Sequence, residues 1–262
     1  NVLDFVTIAS AGNATDFGDL TVSRQCTAVD NTTRGVFLGG YIYPSAPSNT
    51  AVNTMDTIEI ATTGNATDFG DLAAVTRQSG SLSNGHGGLR DDSLNIQRPS
   101  VTYMPGSGRA IFAGGDPGND DTIQIVHIPT LGNASDFGNL TVGRFETDAV
   151  GNGTRAVWGG GKHSSIVDII DYVEMQSQGN AADFGDLTGV RHKFGACSST
   201  TRGVWGGGQN PSGRVNVIDY VTIATAGNAT DFGDLVAVNV GVSATGNITR
   251  GVFAGGTSPS RV

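Results

Sequence analysis

The segment Gly-Asn-Ala-Thr-Asp-Phe-Gly-Asp-Leu at 12–20 returns unchanged at 64–72, and with small changes at 132–140, 179–187 and 227–235. Its aspartates Asp16, Asp68, Asp136, Asp183 and Asp231 are spaced by 52, 68, 47 and 48 residues. A second series keeps step with it, an arginine followed by an apolar run and paired glycines, led by Arg34, Arg109, Arg155, Arg202 and Arg250. Self-similarity at this period means that one supersecondary unit is built five times, and that a unit buries its apolar face against its neighbours.

The two ends of the chain belong to one unit. Residues 255–262 followed by 1–8 reproduce the uninterrupted stretch 207–223, and the step from Asp231 through the ends to Asp16 is 47 residues, the ordinary spacing. The head of the chain therefore completes the unit that the tail begins. This predicts an all-β, five-bladed β-propeller over 1–262, its ring closed by the N-terminal strands, with blades at 21–72, 73–140, 141–187, 188–235 and 236–262 plus 1–20. Closure of that kind removes exposed sheet edges, where an open array of repeats would need capping units.

Each unit reads as four strands. In the fourth, 190–197 is the inner strand, 203–208 a glycine-rich second strand, 217–225 an alternating third strand and 231–235 a short outer one. This unit resembles the kelch repeat, which runs from an Arg-led inner strand through paired glycines to an aromatic-acidic third strand and an outer aromatic. Arg24, Arg98, Arg144 and Arg191 fit that pattern, with Asn239 the exception. Asp171-Tyr172 and Asp219-Tyr220 reverse the kelch Tyr-Asp order, and Phe stands for the outer Trp. The Asp-Phe-Gly-Asp repeats also resemble propeller repeats in tail and virion proteins of marine phages. Phe37, Phe112, Trp158, Trp205 and Phe253 hold equivalent strand positions and read as core.

Composition narrows the function. The net charge is −9 and only two of the fifteen basic residues are Lys, so nothing resembles a phosphate-binding stripe and nucleic acid is not an expected partner. Apolar runs stop at four or five residues, far short of a membrane span. A chain that opens on Asn1 reads as a soluble fragment or processed product. Cys26 and Cys197 fall in units that are not neighbours, which argues against a disulfide. Eight Asn-x-Ser/Thr triplets, at Asn13, Asn31, Asn65, Asn133, Asn139, Asn152, Asn228 and Asn247, mostly recur inside one turn and read as turn residues rather than glycan acceptors.

Variation divides the two faces of the ring. The turns from first to second strand and from third to fourth barely change, whereas the second-to-third loops share almost nothing, and the step from Leu72 to Arg98 carries an insertion at roughly 76–97. Placed beside the loop 41–53, that insertion suggests a binding site of Tyr41, Tyr43, His86, Arg90, Asp91 and Asp92, because irregular loops on a rigid scaffold carry recognition. Asp116, Asp120 and Asp121, with Asn119, form the best isolated cation candidate, whereas the paired acids of the repeat read as strand-end residues. The four histidines lack ligand spacing. Copper radical oxidases share a kelch-type propeller but need a tyrosine–cysteine crosslink and paired histidines that have no match here, and no nucleophile–base set can be placed. The expectation is a non-enzymatic recognition module without a cofactor, extracellular on a virion surface or secreted. It would present its variable face to a host-surface glycan or protein and to neighbouring virion proteins. The alternative is a virion decoration or fibre spacer.

Overall fold

The computed structural model describes residues 1–7, 12–31, 33–42, 50–83, 108–247 and 249–257. The chain is all-β, its sheets antiparallel. It opens with the pair β1 (Val2–Phe5) and β2 (Thr15–Asp19). Four four-stranded sheets follow, each ordered as in the chain. The first holds β3 (Gln25–Asp30), β4 (Arg34–Ile42), β5 (Thr50–Glu59) and β6 (Thr67–Thr76). The second holds β7 (Gly80–Ser83), β8 (Arg109–Ala113), β9 (Thr122–His127) and β10 (Ser135–Asn139). The third comprises β11 (Asp148–Gly151), β12 (Arg155–Lys162), β13 (Ile166–Glu174) and β14 (Ala182–Asp186). The fourth comprises β15 (Gly195–Ser198), β16 (Arg202–Gly206), β19 (Val217–Thr222) and β20 (Thr230–Asp234), with the small hairpin β17 (Gln209–Asn210) and β18 (Gly213–Arg214) between its middle strands. The chain ends in the pair β21 (Val240–Gly246) and β22 (Gly251–Thr257).

The apolar cores lie between sheets. Leu38, Met55, Phe69 and Leu72 of the first sheet pack with Phe112, Val126 and Ile128 of the second unit. The second and third units share a core around Ile123, Phe137 and Trp158, and the third and fourth one around Ile170, Phe184 and Trp205. Phe112, Trp158 and Trp205 are buried as expected, and each tryptophan indole donates to a carbonyl of the preceding unit's inner strand, Trp158 Nε1 to Gly80 O at 3.2 Å and Trp205 Nε1 to Asp148 O at 3.2 Å.

The repeated nine residues are the outer fastening. In each case the turn of one unit docks on the outer strand of the unit before it: Gly64 N donates to Phe17 O at 2.8 Å, Gly132 N to Phe69 O at 2.9 Å, Gly179 N to Phe137 O at 2.9 Å and Gly227 N to Phe184 O at 2.7 Å. The turn asparagines accept as well, Asn65 Oδ1 from Asp19 N at 3.1 Å and Asn133 Oδ1 from Asp71 N at 3.0 Å. Approach this close explains the glycine of Asp-Phe-Gly: at Gly70, φ is +143° and a Cβ would stand 2.7 Å from the Gly132 carbonyl. The other triplet asparagines Asn31, Asn152 and Asn247 cap first-to-second turns, each Oδ1 accepting from the backbone N–H groups two and three residues on. The arginine series forms a third fastening. Arg34 Nη1 donates to Pro129 O at 3.1 Å, Arg109 Nη1 to Met175 O at 2.6 Å and Arg155 Nη1 to Ile223 O at 3.1 Å, each reaching into the next unit.

Inside a unit, a buried ion pair ties the approach to the inner strand to the third strand. Arg24 meets Asp56 at 2.7 Å, Arg144 meets Asp171 at 2.6 Å and Arg191 meets Asp219 at 2.7 Å. Thr21, Thr141 and Thr188 donate their hydroxyls to the same carboxylates. The second unit departs from the expectation. Its inner strand is β7, far ahead of Arg98, and the position of Arg144 is held by Thr76, that of Asp171 by Gln124 and that of Thr141 by Ala73, whose N–H donates to Gln124 Oε1 at 2.8 Å. The additional residues therefore do not precede the inner strand. They join Ser83 to Gly108, between first and second strands.

The terminal unit also differs. Among the described residues β22 has no backbone pairing with β1, and its strands form two separate pairs. Each pair is nonetheless docked on its own neighbour, β1–β2 on the first sheet through Gly64 and β21–β22 on the fourth through Gly241 N, which donates to Lys193 O at 2.8 Å. Side chains facing the gap are exposed where their counterparts are buried: Phe232 is 55% exposed against 2% for Phe184, and Ile60 44% against 0% for Ile128.

The buried pairs make a testable demand. Replacing Asp171 by Ala leaves the Arg144 guanidinium without its counter-ion and is expected to cost about 3–5 kcal/mol. Importing the second unit's set as T141A/R144T/D171Q removes both charges together and should cost less than that single change. Urea-denaturation midpoints check the order of the two.

Candidate functional site

The five inner-strand approaches converge on one cavity of about 440 Å³. It is lined by Gln25, Cys26, Tyr41, Arg77, Gln78, Glu146, Asp148, Lys193 and Ser243 among others, so that every unit contributes. The backbone here repeats closely. Gln78, Glu146 and Lys193 all have φ of 56–58°, and Gly241, in the corresponding place, has φ of 69°. Glu146 N donates to Gln78 O at 3.0 Å, Lys193 N to Glu146 O at 3.2 Å and Gly241 N to Lys193 O at 2.8 Å, a relay of hydrogen bonds from unit to unit. The cavity opens at the ends of the sheets where second strands leave and inner strands begin, the face on which the loops vary.

The side chains on this uniform backbone all differ. Glu146 is the hub: its Oε2 meets His192 Nδ1 at 2.6 Å, and its Oε1 meets Lys193 Nζ at 3.1 Å and accepts from Gln78 Nε2 at 3.1 Å. Burial pushes the Glu146 carboxyl up, but the hydrogen bonds from His192 and Lys193 outweigh it and hold the group below its ordinary value. Across the cavity the Arg77 guanidinium lies 4.4 Å from the centre of the Tyr41 ring and donates to the Asp116 carboxylate, its Nε at 2.9 Å. This ordered stack sits at the rim.

Asp148 stands apart. In the other four units its position is held by Ala28, Gly80, Gly195 and Ser243, so this position is charged in one unit of the five. Its Oδ1 accepts from Ala149 N at 2.9 Å and its Oδ2 from Ala196 N at 3.1 Å, and no ion pair to it is found among the described residues. Burial drives its carboxyl up to about 7, the two backbone N–H groups offsetting part of the rise. Its charge in turn helps raise the free thiol of Cys197, which burial raises most.

Tyr41 is the one residue of the expected binding set that the structure places at this cavity. Tyr43, His86, Arg90, Asp91 and Asp92 lie outside the described residues. Of the long insertion expected at roughly 76–97, Arg77 meets Tyr41 of the 41–53 loop, and residues 84–107, which join Ser83 to Gly108 at the first-to-second end of the second sheet, lie outside the described residues. The residues of the expected cation site have other partners. Asp116 is engaged by Arg77, Asp120 Oδ1 accepts from Thr122 N at 2.9 Å, and no group of three His, Cys, Asp or Glu side chains among the described residues is placed to hold a metal ion. Arg77, Glu146, Asp148 and Lys193 went unread in the sequence, although charged residues breaking an otherwise repeated inner strand were a visible signal. No protein-family model matches the chain, and no curated protein is similar to it.

The carboxyl of Asp148 should write itself into stability. Unfolded, it titrates near its ordinary value of 3.8; folded, near 7. Its folded pKa is raised, so the native state holds the proton longer, and stability falls as pH rises between these values and stays low above them. Compared with Asp148→Asn, which does not titrate there, the wild type should lose on the order of a few kcal/mol between pH 4 and pH 8. Urea midpoints measured across that range check it; a pH-independent difference between the two proteins would contradict the assignment.

Proposed function

We propose that this chain is a closed five-bladed propeller of kelch-like repeats that serves as a non-enzymatic recognition module. The two terminal pairs each occupy the place that a fifth blade requires on their own side, and pairing β22 with β1 would cover the side chains left exposed between them. One observation carries the recognition reading: a backbone repeated almost without change in four units presents different side chains at equivalent points around the axis, Gln78, Glu146, Lys193 and Gly241, with Cys26 in the matching sequence position of the first unit. Core positions keep their apolar character from unit to unit, so side-chain diversity at the cavity is what a binding surface on a constant scaffold needs.

The partner is a host-surface glycan or protein, and the module belongs on the outside of a virion or fibre. Two things support this: the likeness of the Asp-Phe-Gly-Asp repeats to those of marine phage tail and virion proteins, and the acidic, Lys-poor composition, which disfavours nucleic acid. Tyr41, held by Arg77, supplies the flat apolar surface on which a sugar ring or side chain can rest, with the polar groups of Gln78, Glu146 and Lys193 beside it.

Glycan arrays and host-cell binding test the reading. Y41A combined with Q78A should reduce binding at least tenfold, whereas T130A, in the conserved third-to-fourth turns of the opposite face, should leave it unchanged. Equal binding by both variants would overturn the site, and contacts that bury this face against other virion chains would favour the spacer.

A further inference from the structure

The charges around the cavity can be paired off, and the pairing leaves a remainder. Arg77 is matched by Asp116, and Lys193, together with His192, by Glu146. Among the described residues Asp148 has no cation of its own. Its own strand holds no other charged group, and the loop before it holds Glu146 and Arg144, the latter bonded to Asp171; β7 holds none; β15 offers the thiol of Cys197; β12, whose Gly159 lies opposite, keeps Arg155 on Glu174 and Lys162 over the Phe145 ring; and β16 keeps Arg202 over the Tyr220 ring. A half-buried carboxyl that lines a cavity without a counter-ion is costly to ionise and is a candidate for use by a ligand or reaction. The cavity around it is large enough for a small molecule of about monosaccharide size, and its other lining groups include the hydroxyls of Thr27, Ser79 and Ser243 and the amides of Gln25 and Gln78.

We infer that the axial cavity binds a small hydroxyl-rich cation, a polyol bearing an aliphatic amine, with Asp148 as its counter-ion. The ammonium replaces the missing positive charge, and the hydroxyl and amide groups of several units receive the polyol. Two backbone N–H groups already steady the carboxylate, so a cation at bonding distance needs no rearrangement to complete its environment. The site stands on the axial cavity alone, and it holds whether or not the surrounding face recognises a glycan or protein.

Glucamine and sorbitol are suitable probes, because they share one polyol chain and differ in an ammonium against a hydroxyl. Calorimetry on the full chain should find glucamine at least tenfold tighter than sorbitol, with the preference growing as pH is raised from 5.5 to 8 and with protons released on binding near neutrality. That amine keeps its charge over this range, so the pH dependence reports the protein. Asp148→Asn should abolish the preference. Equal binding of the two probes, no binding of either, or a preference that persists in a folded Asp148→Asn variant would overturn the inference; should that variant not fold, the pH dependence and proton release of the wild type decide.

Discussion

Among the described residues the three apolar clusters lie between successive sheets and not within one, and everything else follows from holding neighbouring sheets at a fixed spacing. The fastenings sit at three radii. Backbone relays from Gln78 to Gly241 join the inner ends, tryptophan indoles and core packing hold the middle, and the Gly-Asn turn clasps the outer strand of the preceding unit. The residues that recur most faithfully are those that no neighbour of another shape could replace, such as the glycine at position 70, whose missing Cβ lets the turn at Gly132 come within bonding distance.

The same constraint gives the ends of the chain their meaning. A sheet that needs two neighbours cannot stand stably at the edge of an open row with its apolar face bare, and a strand left without a partner invites pairing with another chain. The face carrying Phe232 and Val252 and that carrying Ile60 are the two faces a fifth sheet would bring together. Gly233 has open space where Gly185 has the Gly227–Asn228 backbone, as a vacant outer clasp should. A rigid ring would in turn hold five inner-strand ends around one cavity, where single substitutions change chemistry without disturbing the frame.

Much of this was legible in the residues. Third and outer strands fell where alternation and the repeated Asp-Phe-Gly placed them, since those positions are bound by two sheets at once. The inner strands were harder. In the fourth unit the arginine at 191 is not in the strand, because His192 bridges to Gln209 and Lys193 adopts a positive φ before β15 begins. In the second unit the guide residue itself is gone: Thr76 and Gln124 replace the ion pair as a set, and Arg98 lies outside the described residues. The cavity was visible in part through Tyr41. Asp148 was passed over because strand patterning registers whether a position faces inward, and not that an inward-facing charge lacks a partner.

The account rests on ring closure, and nuclear Overhauser contacts between β1 and β22 in the full chain address it most directly. By the register of β16 with β19, where Val204 faces Tyr220 and Gly206 faces Ile218, closure predicts cross-strand contacts of Val252 with Phe5 and of Ala254 with Leu3, and amide protection in both strands equal to that of β16. Absence of those contacts, with β1 and β22 exchanging as fast as exposed edge strands, would contradict it.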